Sequence, residues 1–220
     1  MKRISLITSL LFCTTSLLIA QAVDSPTPMP PDLRPGSRQD TLLQHEGMVF
    51  IDDFYIDIYE YPNQQGVLPK VNITYGEADK LCAAISKRLC SEQEWQRAAT
   101  GPENYPYSYG EIFESARCNT PQHENDLWIG GASLAPSGAF AQCHNSYGLY
   151  DMVGNVWEWT SSWYSPDKKW RAVRGGSYFH SANMSRTDAR YGRYLDDEYH
   201  LDLVGFRCCR STVSQRPAAE

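Results

Sequence analysis

In "MVFIDDFYIDIYEY", residues 48–61, Phe54, Ile56 and Ile58 alternate with Tyr55, Asp57 and Tyr59. This is the two-residue period of a half-buried strand rich in aromatic and branched side chains. The period then lengthens. In "TYGEADKLCAAISK" Thr74 stands three residues before Glu77, a capping box, and Ala78, Leu81, Cys82 and Ile85 share one helical face. "SEQEWQRAATGP" repeats the device with Ser91 and Glu94, turns Trp95 and Ala98 or Ala99 inward, and stops at Gly101-Pro102. From Glu103 onward helical periodicity is absent, Gly, Pro, Asn and Ser recur, and short aromatic-rich segments lie between turns. The pattern predicts a strand, two short helices and a second half made of loops and short strands.

The chain ends carry a different signal. Residues 1–22 begin with Lys2 and Arg3, continue through an apolar run and finish on Ala20-Gln21-Ala22, the form of an export signal. The run is interrupted by Ser5, Thr8, Ser9 and Thr14-Thr15-Ser16, which a membrane span would avoid. Phe12 before Cys13 is too bulky for lipoprotein cleavage. The expectation is an exported product, periplasmic or extracellular, with no stable membrane insertion after cleavage. Residues 23–45 hold five prolines and little apolar content, a linker composition. The folded domain is then 46–211, with a short tail at 212–220.

Cleavage at residue 22 removes Lys2 and Arg3 and no acid, so the formal net charge of -6 becomes -6 - 2 = -8. With no basic run to neutralise phosphates, nucleic acid is excluded as a partner, and a small molecule or another exported protein is expected instead. Of seven cysteines Cys13 is lost, leaving Cys82, Cys90, Cys118, Cys143, Cys208 and Cys209. An even count in an exported chain predicts disulfides, in any of 15 connectivities. No CxxC pair is present, which argues against a zinc site, and a catalytic thiol requires one of the six to escape pairing. A loop-rich domain needs such staples, and a bound cation is a further one.

"GLYDMVGNVWEW", residues 148–159, places Asp151 and Glu158 on either side of a turn at Gly154. Carboxylates and inward carbonyls are hard oxygen ligands of the kind calcium takes. The spacing matches no EF-hand, and by itself reads as a solvated acidic turn. Trp157 and Trp159 alternate with Val156 and Glu158, and core packing accounts for them.

Taken in order, "KRLCSEQEWQRAATG", "GLYDMVGNVWEWTSSWY", "VRGGSY" and "GFRCC" resemble the signature segments of the formylglycine-generating enzyme, or sulfatase-modifying factor, family. The resemblance runs from about Met48 to Arg210. It implies an α+β fold, the compact variant of the C-type lectin-like fold, loop-rich with two short helices and short antiparallel strands. It also implies a structural calcium held by the Asp151 and Glu158 side chains and the Gly154 and Val156 carbonyls. A second calcium site would draw on Asn119 and the Thr120 carbonyl, but its later acidic ligand has no counterpart in "NDLWIGGAS". The family pattern pairs Cys82 with Cys208, from which Cys90 with Cys209 and Cys118 with Cys143 follow.

Active members of the family oxidise a substrate cysteine to formylglycine, using copper on two thiolates shortly after the "GGSY" motif. Here those positions hold His180 and Ser185. Neither supplies the soft sulfur that monovalent copper prefers, so copper and formylglycine generation are not expected. Ser177, at a position that lines the oxygen pocket in the family, persists. His180 with His200, Asp188, Asp196 or Asp197 would offer a nitrogen and oxygen set for another divalent metal. As a hydrolytic pair Ser177 and His180 lack a third group spaced to orient the histidine. Two classes therefore stand: a binding module using residues 177–200, and a metal-dependent oxidoreductase of the same family acting on a thiol or small molecule.

Overall fold

The computed structural model describes residues 44–45, 47–124, 127–130 and 133–212, all within one unit spanning Asp32–Glu220. The export segment 1–22, the linker up to Leu43 and the tail beyond Thr212 lie outside the described residues.

The strand expected across residues 48–61 is a hairpin. β2 (Met48–Ile51) and β3 (Phe54–Asp57) pair antiparallel with Ile51 opposite Phe54, and β1 (Gln44–His45) lies along the outer side of β2. The turn uses Asp52 in a left-handed conformation, φ 52°, which aspartate tolerates better than most side chains. Asp57, placed by alternation on the polar side, is fully buried. It is held there by the Lys87 ammonium and by the backbone N–H of Cys208, 3.3 Å away. A buried charge is tolerated when paired and hydrogen-bonded in this way.

Both helices begin at their capping boxes. α1 (Tyr75–Ala84) starts from Thr74 and buries Ala78 and Cys82. Leu81 is half-buried, and Ile85 is 46% exposed because the helix ends at Ala84 and the chain turns away. α2 (Glu92–Thr100) starts from Ser91, buries Trp95, Ala98 and Ala99, and stops at Gly101 with φ 67°. Between them lies the two-residue strand β4 (Arg88–Leu89). Farther on, β5 (Gln122–Glu124) and β6 (Leu127–Gly130) form a separate antiparallel pair.

The later strands close the structure. β7 (Trp157–Ser165) pairs antiparallel with β8 (Trp170–Arg174) and parallel with β9 (Val204–Phe206). β10 (Cys208–Ser211) inserts between β3 and β4, giving the order β1-β2-β3-β10-β4. Adjacent residues of a strand point to opposite faces, and the neighbours Cys208 and Cys209 use both. Cys208 bonds Cys82 of α1 among Ile73, Leu89, Trp159 and Phe206, whereas Cys209 bonds Cys90 among Ile56, Trp95 and Leu149. Cys118 bonds Cys143 beneath the loop half, against Val153 and Tyr107. The architecture is the expected α+β one.

Candidate functional site

β7 carries Glu158 from the 148–158 loop into the interior, where the Arg207 guanidinium grips it. Arg207 Nη2 donates to Glu158 Oε1 at 2.7 Å and Nε to Oε2 at 2.8 Å, while Trp95 Nε1 donates to Oε2 at 2.6 Å. The rest of Arg207 is also satisfied: Nη1 donates to the carbonyls of Asp57 and Ile58, and Nη2 to that of Tyr150. All five guanidinium donors are used. Two more buried carboxylates lie close by. Asp151 Oδ2 accepts from the Gly138 N–H at 2.6 Å, and Glu60 accepts from the Ser137 hydroxyl and from Asn155 Nδ2.

Arg207 thus bonds Glu158 and acts on Asp151 and Glu60 through its charge alone. Burial pushes the Asp151 carboxyl up to about 6, with Glu158 adding to the rise. Burial, with Asp151 and Glu158 beside it, holds Glu60 well above the usual carboxylate range. For Arg207 burial opposes the charge, but the Glu158 carboxylate outweighs it and raises the guanidinium. The loop is closely packed as well: at Gly154, φ 81°, an added Cβ would stand 2.3 Å from the Asn119 carbonyl oxygen. Asn119 itself donates through Nδ2 to Asn155 Oδ1 and to the Ser133 carbonyl. Arg207, Glu60 and Asn155 were not singled out from the sequence, and the only local hint is a charged residue inside the otherwise apolar "VGFRCC".

The "GGSYFH" segment leaves β8 through Gly175 and Gly176, both at positive φ. Ser177 is fully buried, its hydroxyl 2.7 Å from His180 Nδ1 and accepting from the Phe179 N–H at 3.2 Å. Trp157 Nε1 donates to the same His180 Nδ1 at 3.1 Å. Burial lowers the His180 pKa below the ordinary imidazole value. Ser185 is fully buried against Gly176, where an added Cβ would stand 2.4 Å from Ser185 Oγ, and its hydroxyl donates to the Ser181 carbonyl.

The acids considered as partners for His180 are engaged elsewhere. Asp188 holds Arg186, Asp197 holds Arg171, Asp196 accepts from the Glu198 N–H, and His200 contacts Asn72. Among the described residues no three His, Cys, Asp or Glu side chains converge on a metal-sized space. A hydrolytic role for Ser177 fails on access, since a nucleophile with no exposed surface cannot reach a substrate.

The sulfatase-modifying factor enzyme 1-like domain matches residues 59–212. The chain belongs to this family. Its similarity to the inactive C-alpha-formylglycine-generating enzyme 2 of Mus musculus is 37% identity over 155 residues, covering 66% of this chain and 49% of the relative. Against the formylglycine-generating enzyme of Streptomyces coelicolor it is 32% over 191 residues, 74% of this chain and 58% of the relative. The chain therefore spans about half the length of these curated relatives. In fold it is similar to the structure of CarF, with a TM-score of 0.59 and 20% identity over 72% of this chain and 86% of that one. PvdO from Pseudomonas aeruginosa gives a TM-score of 0.54 at 22% identity over 77% and 70%. In this formylglycine-generating-enzyme-like domain the two positions that the family pattern gives to copper hold no thiol. The lone pair at His180 Nδ1 faces an indole N–H and a hydroxyl, and Ser185 is a buried hydroxyl bound to backbone.

Proposed function

We propose that this is an exported, calcium-stabilised member of the family that does not generate formylglycine and acts as a binding module for a small molecule or another exported protein. One observation carries the reading. The two thiolate positions hold a histidine whose Nδ1 is occupied by Trp157 and Ser177, and a serine buried beneath Gly176. Soft sulfur is what reduced copper requires, and the substitutes offer none. The recognition surface of this reading is residues 177–200, where Phe179 is 60% and Tyr194 62% exposed among arginines and aspartates, a composition found on binding surfaces. A metal-dependent oxidoreductase has less support, because Asp188 and Asp197 are committed to arginines and Asp196 to the Glu198 N–H.

The test is the mature chain, residues 23–220, incubated with copper, oxygen and a cysteine peptide of the sulfatase type. The expected mass spectrum shows only the thiol. An aldehyde product that disappears in His180→Ala would overturn the reading.

Calcium rests on the charge count around Arg207 and on donor type. Asp151 Oδ2 is engaged by Gly138, which leaves Oδ1, one side of Glu158 Oε1 and the Gly154 and Val156 carbonyls as oxygens of the kind calcium takes. When bound, the ion would supply positive charge to a group of three carboxylates that has one guanidinium. At a calcium concentration 100-fold above Kd, binding stabilises by about 2.7 kcal/mol. For a domain of this size chelation should then lower Tm by roughly 5–10 °C. Asp151→Asn should abolish the difference between calcium and chelator, and equal Tm values in wild type would remove the assignment.

A further inference from the structure

The hydrogen bonds at His180 fix more than its position. An indole N–H only donates, so the nitrogen it meets must carry a lone pair. Trp157 Nε1 meets His180 Nδ1 at 3.1 Å, and the Ser177 hydroxyl meets the same atom at 2.7 Å. A proton on Nδ1 would face the indole hydrogen, and Trp157 cannot rotate away: it is buried, with its ring 5.3 Å from His180 and 5.9 Å from Tyr191. The neutral ring is therefore held with its hydrogen on Nε2. That hydrogen also blocks the nitrogen lone pair a metal would need, because a ligating imidazole presents an unprotonated nitrogen and carries its hydrogen on the other.

We propose that His180 is a fixed Nε2–H donor for a hydrogen-bond-accepting ligand, a carboxylate or carbonyl oxygen carried on a flat apolar group, at the position where the family places a copper ligand. Among the described residues Nε2 has no hydrogen-bond partner, and His180 is only half-buried. The neighbouring Phe179 ring lies 6.2 Å away, nearly perpendicular at 82°, and is 60% exposed. A donor beside an exposed aromatic surface matches a ligand with an acceptor oxygen next to a planar apolar body. The proposal rests on the binding-module reading and names the ligand chemistry of that site.

Benzoate is the probe, since it joins a carboxylate to a flat ring. Long-range proton–nitrogen NMR on the mature chain should show His180 unprotonated at Nδ1 and protonated at Nε2, with no change on adding equimolar Zn2+. Benzoate should shift the Nε2 signal saturably. His180→Gln, which keeps an N–H donor, should still bind benzoate, and His180→Ala should not. Trp157→Phe removes the indole donor, frees Nδ1 to take the proton and should raise Zn2+ affinity by about tenfold, the equivalent of one hydrogen bond. Protonation at Nδ1, Zn2+ ligation by wild-type His180, or a Nε2 signal indifferent to benzoate overturns the proposal. Conversion of the cysteine peptide would instead defeat the wider reading and leave the tautomer as it is, so the two failures are separable.

Discussion

Replacing Cys90 and Cys209 together by alanine is expected to cost about 3 kcal/mol, and removing Cys82 and Cys208 as well should bring the total to about 8 kcal/mol. The difference follows from topology. Cys82 and Cys208 are 126 residues apart and Cys90 and Cys209 are 119 apart, so each bond alone closes a very long loop. Once one is made, however, the other closes only the short ring through residues 82–90 and 208–209. The first closure therefore restricts the unfolded chain far more than the second. Either bond can be lost singly at the smaller cost, whereas losing both approaches the whole stability of an ordinary domain. Urea unfolding of the two double variants and the quadruple variant reads this directly. Additive costs for the two pairs would show that the bonds do not share their loop.

Local features were legible in the sequence and long-range pairings were not. The capping boxes at Thr74 and Ser91 are contained within four residues each, and both helices start there. The hairpin at Asp52-Asp53 was hidden because its turn has no glycine or proline, and the alternation on either side reads as one strand. Asp57 looks like a surface residue until Lys87, 30 positions later, is folded against it. The disulfide partners could be chosen only through the family pattern, since counting leaves fifteen possibilities. The structure contains the three pairs that the pattern implied.

The same limit applies at the candidate site. His180 invites a search for nearby acids because Asp188, Asp196 and Asp197 follow in sequence, yet the groups that set its protonation are Trp157, 23 residues earlier, and Ser177. Glu158 was legible as a carboxylate in an unusual loop. That an arginine 49 residues away would hold both of its oxygens was not.

Arg207→Met should cost about 3–5 kcal/mol, the loss found when one partner of a buried ion pair is removed. Among the described residues it leaves the Glu158 side chain with the Trp95 indole as its hydrogen-bond partner, and it removes the guanidinium charge that lowers the Glu60 and Asp151 carboxyls. Replacing Glu158 by leucine in the same protein removes the unpaired charge, yet it should restore only part of the loss. Arg207 also serves the carbonyls of Asp57, Ile58 and Tyr150, and the Trp95 N–H loses its acceptor. Each buried polar group left without a partner costs about 1–3 kcal/mol. The pH dependence has a definite sign. The Asp151 carboxyl is already raised to about 6 with the guanidinium present, and removing that cation raises it further. A raised carboxyl binds its proton more tightly in the folded protein than in the unfolded chain, so its unfavourable contribution grows as pH rises from about 4 through about 6 and beyond. Urea unfolding of Arg207→Met at about pH 5 and about pH 7.5, the same two-point protocol being applied to wild type, should therefore show the larger loss at the higher pH. A loss below about 1 kcal/mol at both would mean that the three carboxylates do not depend on Arg207 for their charge balance.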